Sequence, residues 1–272
     1  MTKKIQLMCS DIDGTLLNAK RDIAPETAAA VNKLPQDFPI ILASSRMPSA
    51  MYYLQEKIGR LGSPIISYNG GLVLDGKGNK LYSQTVSLDF LETVFQHQQD
   101  YDYNISTYCT DTWRTAKSDY WTLREIRSTR VEPVYTPLNE HVAVLKAIDE
   151  QPHKIMCMGS PKALDSLIAL LREKHGNEAH FYRSKDVYVE ITPKNIDKSS
   201  ALATLIDKNY GLKLSDVIAF GDNFNDTTMI KNVGLGIAVA NAAQEVKDVA
   251  DYVSKYTNKE HAVAKAIEEF LV

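Results

Sequence analysis

Two apolar runs, far apart in the chain, each stop at paired carboxylates. Ile5 to Ser10 stops at Asp11-Ile12-Asp13-Gly14, and Val217 to Phe220 stops at Gly221-Asp222, with Asn225 and Asp226 just behind. If the two runs are neighbouring parallel strands, all of these acids meet at one sheet edge. Such a cluster repels itself unless a divalent cation sits in it. The intervening chain then has to leave that sheet and return to it.

The spacing between the runs supports this. Residues 5–10 read as a strand, 25–33 as a helix with Pro25 at its first turn, 38–43 as a strand, 48–58 as a helix and 64–68 as a strand. Strand alternating with helix predicts a parallel sheet covered by helices. A hairpin follows over 72–82, with a Gly-rich turn. Residues 88–99 read as a helix. Residues 101–145 are aromatic, Thr-rich and turn-rich, with short alternating runs. A strand at 154–158, an amphipathic helix at 161–175 and strands at 181–184 and 187–191 complete a small α+β block. The βα rhythm resumes at Lys198 and runs to the end. The expected partition is a discontinuous core, 1–83 plus 188–272, with an inserted domain at 84–187.

The 272 residues suffice for one large or two modest domains, and 44% apolar content supports a real core. A net charge of −3 without a long basic block argues against nucleic acid as the main partner. The apolar stretch before Asp11 is too short for a secretory core, and no run approaches a membrane span. The expectation is a cytoplasmic protein without a membrane partner, and a monomer, since no heptad pattern appears. The three cysteines lack CxxC spacing and the six histidines form no HxH or HExxH pattern, so a zinc site has little support. Cys9, in the first strand, reads as an inert core thiol.

Open α/β sheets place ligands beyond the carboxyl ends of their strands. Asp11 and Asp13, Ser44, and Asp222 with Asn225 and Asp226 all fall there, and Lys198 opens a helix. Singly, each is as readily a helix cap, an Asx turn or a solvated lysine. Together they suit phosphoryl transfer. A carboxylate can attack phosphorus to give an aspartyl phosphate that water hydrolyses. Both partners are anionic, so a cation such as Mg²⁺ must neutralise them. A lysine and a hydroxyl hold the transferring oxygens, and a second acid two residues on can protonate the leaving oxygen and later activate water.

These residues resemble the haloacid dehalogenase (HAD) superfamily, and within it the Cof-type phosphatases with a type IIB cap. The DxDGTLL motif stands at Asp11–Leu17. The hydroxyl motif, usually ATGR, is Ala43-Ser44-Ser45-Arg46. Glu190-Ile191-Thr192-Pro193 leads to Lys198, and GDxxND is Gly221–Asp226. The likeness continues through Asn241-Ala242, Lys247 and Ala250-Asp251. It implies an α/β fold: a Rossmann-like HAD core with a parallel sheet flanked by helices, plus an inserted α+β C2-type cap. It also implies residue roles. Asp11 is the nucleophile and a Mg²⁺ ligand, and Asp13 is the general acid/base, binding metal through its carbonyl. Asp222 completes the protein ligands, with Asp226 supporting them. Ser44, Lys198 and Asn225 contact phosphate, helped by the backbone of Ile12 and Ser45.

Three positions depart from the pattern: Ser45 and Ser199 stand where glycine is usual, and Phe224 where glutamate is common. None removes a catalytic group. The cap supplies Tyr101, Tyr103, Tyr108, Trp113, Tyr120 and Trp121 with several arginines, a mixture that packs a small core or recognises a polar organic phosphate. Arg46, Asn69, Arg183 and Glu190 fall near the expected core–cap junctions as candidate substrate contacts. The expected activity is Mg²⁺-dependent hydrolysis of small phosphorylated metabolites, sugar phosphates first. The alternatives are a phosphomannomutase-like phosphotransferase, a specialised sucrose-phosphate or mannosyl-3-phosphoglycerate phosphatase, and a non-catalytic phosphometabolite sensor.

Overall fold

The computed structural model describes residues 5–272. In chain order the first segment holds β1 (Leu7–Ser10), α1 (Pro25–Asn32), β2 (Ile40–Ala43), α2 (Ser49–Lys57), β3 (Ile65–Ser67), β4 (Leu72–Leu74) and β5 (Lys80–Ser83). The middle holds α3 (Leu88–Gln98), β6 (Tyr103–Cys109), β7 (Thr112–Thr115), α4 (Tyr120–Thr129), β8 (Val134–Tyr135), α5 (Leu138–Ala147), β9 (Lys154–Gly159), α6 (Pro161–His175), β10 (Ala179–Lys185) and β11 (Tyr188–Pro193). The last segment holds α7 (Lys198–Tyr210), β12 (Val217–Gly221), α8 (Thr227–Asn232), β13 (Leu235–Ala238), α9 (Gln244–Lys247), β14 (Tyr252–Val253) and α10 (Ala262–Phe270).

The first unit runs up to Tyr82 and resumes over Asp197–Val272. Its sheet has the order β14-β13-β12-β1-β2-β3-β4-β5. From β14 to β3 neighbouring strands are parallel, and β4 runs antiparallel to β3. β1 and β12 do pair, with Leu7 opposite Val217 and Ser10 opposite Phe220. Every residue of β1, β2 and β12 is buried, the pattern of strands covered on both faces. Leu7, Cys9, Ile41, Val217 and Ala219 pack with Leu202, Leu205 and Ile206 of α7 and Met229 and Ile230 of α8. Burial pushes the Cys9 thiol up to about 12, which leaves it unreactive.

The second unit spans Ser83–Ile196. Its sheet has the order β10-β11-β9-β6-β7-β8. β6, β9 and β11 supply Ile105, Ile155, Cys157, Val189 and Ile191 to a core filled by α3, α5 and α6. β11 therefore belongs to this sheet, paired with β9 and β10. The boundary expected at residue 188 shifts to 196/197, because Val189 and Ile191 fill this unit's core.

Two helices, α4 and α5, lie in the stretch that the sequence pattern left as turns and short alternating runs. α4 buries Thr122 and Thr129, and α5 buries His141 and Leu145. α4 lacks the continuous apolar stripe that marks a helix, whereas α5 sets Leu138, Val142 and Leu145 against the core. α4 is started by Asp119, whose side chain accepts from the Trp121 and Thr122 N–H groups at 3.0 Å. Among the described residues, no helix is long and apolar enough to cross a membrane.

Candidate active site

The strand order reverses at the β1/β12 pair. From β1 the chain moves to β2 and β3 on one side, and from β12 to β13 and β14 on the other. A crevice at the carboxyl ends of such a pair is where open α/β sheets bind ligands. Asp11 follows β1 there and Asp222 follows β12. The Asp11 N–H donates to the Phe220 carbonyl at 2.9 Å, extending the ladder to the first carboxylate.

Lys198 is the first residue of α7 and is wholly buried. Asp197 caps that helix, accepting from Ser199 and Ser200 N–H groups at 2.9 and 3.0 Å. The cap aims the chain so that Lys198 Nζ donates to Asp11 Oδ1 at 2.6 Å and to Asp226 Oδ1 at 2.7 Å. The other oxygen of Asp226 accepts from the Asp222 and Asn223 N–H groups at 3.0 and 3.1 Å. Both Asp226 oxygens are thus committed to protein donors. Burial opposes the charge on Lys198, but Asp11 and Asp226 outweigh it and raise its pKa.

Asp11 Oδ2 is buried with no hydrogen-bond partner. One carboxylate oxygen from each of Asp11, Asp222 and Asp226 lies within 4.8 Å of the others. Burial, followed by the charge of Asp226, pushes Asp222 up to about 6. Burial likewise raises Asp11 well above the usual carboxylate range, against the pull of Lys198. An orphaned buried oxygen among acids that resist ionisation fits a divalent cation: hard oxygen donors suit it, and its charge would reverse both shifts.

Gly14 makes this approach possible. Its φ is +89°, and a Cβ there would lie 2.2 Å from Asp222 Oδ2. Thr15 Oγ1 then donates to Asp222 Oδ1 at 2.9 Å, and Asn241 Nδ2 donates to the Gly14 carbonyl at 2.8 Å. Sequence reasoning gave Thr15 no role. Its place inside the first motif was the available signal.

Ser44 follows β2, the other neighbour of β1, and its Oγ accepts from the Arg46 N–H at 3.2 Å. Its carbonyl takes the Asn69 N–H at 2.9 Å, and the Asn69 side chain accepts from Asn225 Nδ2 at 2.9 Å. Asn69 thereby links the hydroxyl loop to the loop of Asn225. Ile12 is buried and Ser45 half-buried at the same edge. Arg46 is buried and grips Asp13 with two bonds, Nε to Oδ2 at 2.7 Å and Nη2 to Oδ1 at 2.9 Å. Its Nη1 also reaches the Ala50 carbonyl and Tyr53 Oη. Burial works against the Asp13 charge, yet the hydrogen bonds and charge of Arg46, with the charge of Arg21, hold its pKa below the usual value.

The other two junction candidates lie in the second unit. Arg183 is engaged by Asp165 and by the carbonyls of Pro161 and Asp186. Glu190 lies 3.6 Å from Lys154, whose ammonium sits 4.5 Å from the Tyr108 ring centroid. Pairing puts Asn104, Ser106, Tyr108, Trp113, Lys154 and Glu190 on one face of that sheet. Of the three departures, Ser199 is absorbed by a bond from Asn232 Nδ2 at 3.1 Å, and Phe224 is 62% exposed.

Residues 8–267 match the family model of haloacid dehalogenase-like hydrolases. A Haemophilus influenzae protein named "Putative phosphatase" is 31% identical over 96% of each chain. The 5-amino-6-(5-phospho-D-ribitylamino)uracil phosphatase of Bacillus subtilis is 26% identical over 98% of this chain and 96% of its own. A solved haloacid dehalogenase-like hydrolase from Bacteroides thetaiotaomicron is 27% identical, with a TM-score of 0.88 over 98% of this chain and 100% of that one. A subclass IIB sugar phosphatase, 18% identical with a TM-score of 0.78 over 97% of this chain and 98% of its own, shares the fold. With the motifs assembled at one strand-order switch and the family match spanning both units, the chain belongs to the haloacid dehalogenase-like hydrolases, as an enzyme of their phosphatase class.

Proposed function

We propose that this enzyme hydrolyses small phosphorylated metabolites, sugar phosphates first, with Mg²⁺ and through an aspartyl phosphate on Asp11. The observation that carries the reading is the state of Asp11. One oxygen is held by a buried lysine and the other is orphaned inside an acid cluster at the β1/β12 switch. Asp11 Oδ2, the Asp13 carbonyl and Asp222 would hold the cation. When bound, it supplies the charge that lets a carboxylate approach a phosphate.

The residues of this chain do the rest. A carboxylate oxygen of Asp11 forms the bond to phosphorus as the ester P–O bond breaks and its electron pair leaves with the oxygen. Asp13 gives that oxygen a proton, then takes one from the water that attacks the aspartyl phosphate. Ser44, Asn225 and Lys198 donate to the transferring phosphoryl oxygens, with the backbone N–H groups of Ile12 and Ser45. Asp226 keeps Lys198 charged and placed, and Asn69 keeps Asn225 placed.

Two relatives' names support the substrate class, a ribityl phosphate in one and a sugar in the other. We take the working unit to be the monomer.

Phosphate release from a panel of hexose, pentose, polyol, nucleotide and pyridoxal phosphates, with Mg²⁺ and with EDTA, tests the reading. Metal-dependent release that Asp11→Asn abolishes is the expected result. No release from any ester by folded, Mg²⁺-supplied protein defeats it. Transfer of labelled phosphoryl to a second sugar hydroxyl, in place of water, converts it to a phosphotransferase.

A further inference from the structure

We infer that Arg114 and His141 form an oxyanion-binding site built wholly within the second unit, where a carboxylate or phosphate group supplies the counter-charge that the fold leaves out. The site shares no residue with the candidate active site and does not depend on the phosphatase reading.

Among the described residues, three arginines are buried: Arg46, Arg60 and Arg114. Arg46 grips the Asp13 carboxylate. Arg60 gives its Nη groups to the Leu34, Pro35 and Gly59 carbonyls and to Gln36 Oε1. Arg114 is only 9% exposed, yet its Nε and Nη1 are buried without a hydrogen-bond partner. No carboxylate among the described residues pairs with it. A guanidinium stays charged at any physiological pH, and taking it out of water without a counter-charge is strongly unfavourable. Buried charges are therefore paired, and this one lacks its partner.

The surroundings add a donor, not an acceptor. Thr107 stands opposite Arg114 in the β6/β7 ladder, so the two side chains share a sheet face. Across that face α5 brings His141, wholly buried, with Nε2 2.6 Å from Thr107 Oγ1. The Phe95 ring of α3 lies tilted against the imidazole, with centroids 5.3 Å apart. Burial, then the charge of Arg114, pushes His141 down to about 4, so the ring is neutral near pH 7 and carries one N–H. With the Thr107 hydroxyl donating to Nε2, that N–H stands on Nδ1, and Nδ1 is buried without a partner.

The orphaned groups are thus two nitrogens of one guanidinium and one ring nitrogen beside it. In the planar head, Nη2 completes a two-pronged fork with either Nε or Nη1. Two oxygens of one carboxylate or phosphate fit such a fork. Nε and Nη1 are closed to solvent and Nη2 is not, so an arriving anion meets Nη2 first. The guanidinium charge repels a metal ion, and a neutral ligand would leave that charge unbalanced.

Thermal melts of the full chain in EDTA test this, with sodium acetate, sodium phosphate or sodium chloride at matched ionic strength. Wild type is run beside Arg114→Met, which keeps an apolar stem and removes the charge, and beside Arg114→Lys. An anion held at the candidate active site shifts wild type and Arg114→Met alike, so the difference between them reports this site. At about ten times its dissociation constant, the anion should raise the wild-type Tm over chloride by about 3–5 °C. A rise with acetate names a carboxylate ligand, and a rise with phosphate alone a phosphate ester. Arg114→Met should lose the rise and, without anion, melt no lower than wild type, because an unpaired buried charge has gone. Arg114→Lys, a charge without a fork, should keep a smaller rise. Equal rises in wild type and Arg114→Met, or no rise in either, would overturn the inference. So would an Arg114→Met chain that melts well below wild type or fails to fold, since Arg114 would then be a support of the fold. None of these results bears on the phosphatase reading.

Discussion

Lys198 Nζ and Asp11 Oδ1 lie 2.6 Å apart with the lysine wholly buried, joining the residue that follows the first strand to the first residue of the helix that re-enters the core. A second carboxylate, Asp226, shares the ammonium at 2.7 Å. One cation thus serves two buried anions, so the site is short of positive charge.

Lys198→Met should expose that shortage. It leaves Asp11 and Asp226 buried without their cation, a change expected to destabilise the protein by about 3–5 kcal/mol. It also removes the phosphoryl donor proposed above, which should lower kcat/KM by about 10²–10³. Urea unfolding and phosphate release measure the two effects separately, and Mg²⁺ should restore more of the stability than of the rate.

Asp11→Asn should have opposite effects on the two properties. Turnover should vanish, because an amide cannot form the aspartyl phosphate. Burial and two neighbouring carboxylates oppose the Asp11 charge, so the metal-free variant should melt no lower than wild type. Turnover at the wild-type rate would end the covalent mechanism.

The metal-free protein should lose stability as pH rises from about 4 to about 6. Asp222 titrates near 6 in the fold, above an unfolded value close to 3.9. In that window the folded state binds more protons than the unfolded state, so stability is full below it and lost above it. The shift corresponds to about 3 kcal/mol at most. Denaturant titrations across this range check the slope, and saturating Mg²⁺, which favours the ionised form, should flatten or invert it.

Gly14→Ala should damage the site from the backbone. The φ of +89° and a Cβ 2.2 Å from Asp222 Oδ2 force either the turn or the carboxylate to move. A stability loss of about 1–3 kcal/mol and a weaker Mg²⁺ requirement curve are expected. Thermal melts and metal titrations of activity measure both.

The residues proposed to do the chemistry were legible from local sequence. Asp11, Asp13, Ser44, Lys198, Asp222 and Asn225 each stand at a strand end or helix start that periodicity and turn residues mark. The pairing of β1 with β12 entered the sequence reading only as a condition, and the register of Leu7 with Val217 fulfils it. Less was legible where polarity hid the period. β11 reads as well for the first sheet as for the second, because Glu190-Ile191-Thr192-Pro193 leads straight into the Lys198 motif. Its membership is settled by Val189 and Ile191 entering the second unit's core. α4 escaped because the residues it buries are two threonines; α5, with Leu138, Val142 and Leu145 at helical spacing on the core, escaped because it follows directly on the turn-rich stretch.

By itself, then, the sequence determined which candidate groups stand at the strand ends and helix starts, since these depend on periodicities a few residues long. Tertiary structure decided how those groups are occupied. Arg46, expected at the substrate, holds Asp13, to which Arg21 also donates; Asn69 holds Asn225; Asp226 is spent on Lys198 and two backbone N–H groups. Each of these bonds depends on loops from different strand ends meeting at angstrom distances. No local pattern encodes that meeting, because the packing of the sheet and its helices sets where each loop arrives.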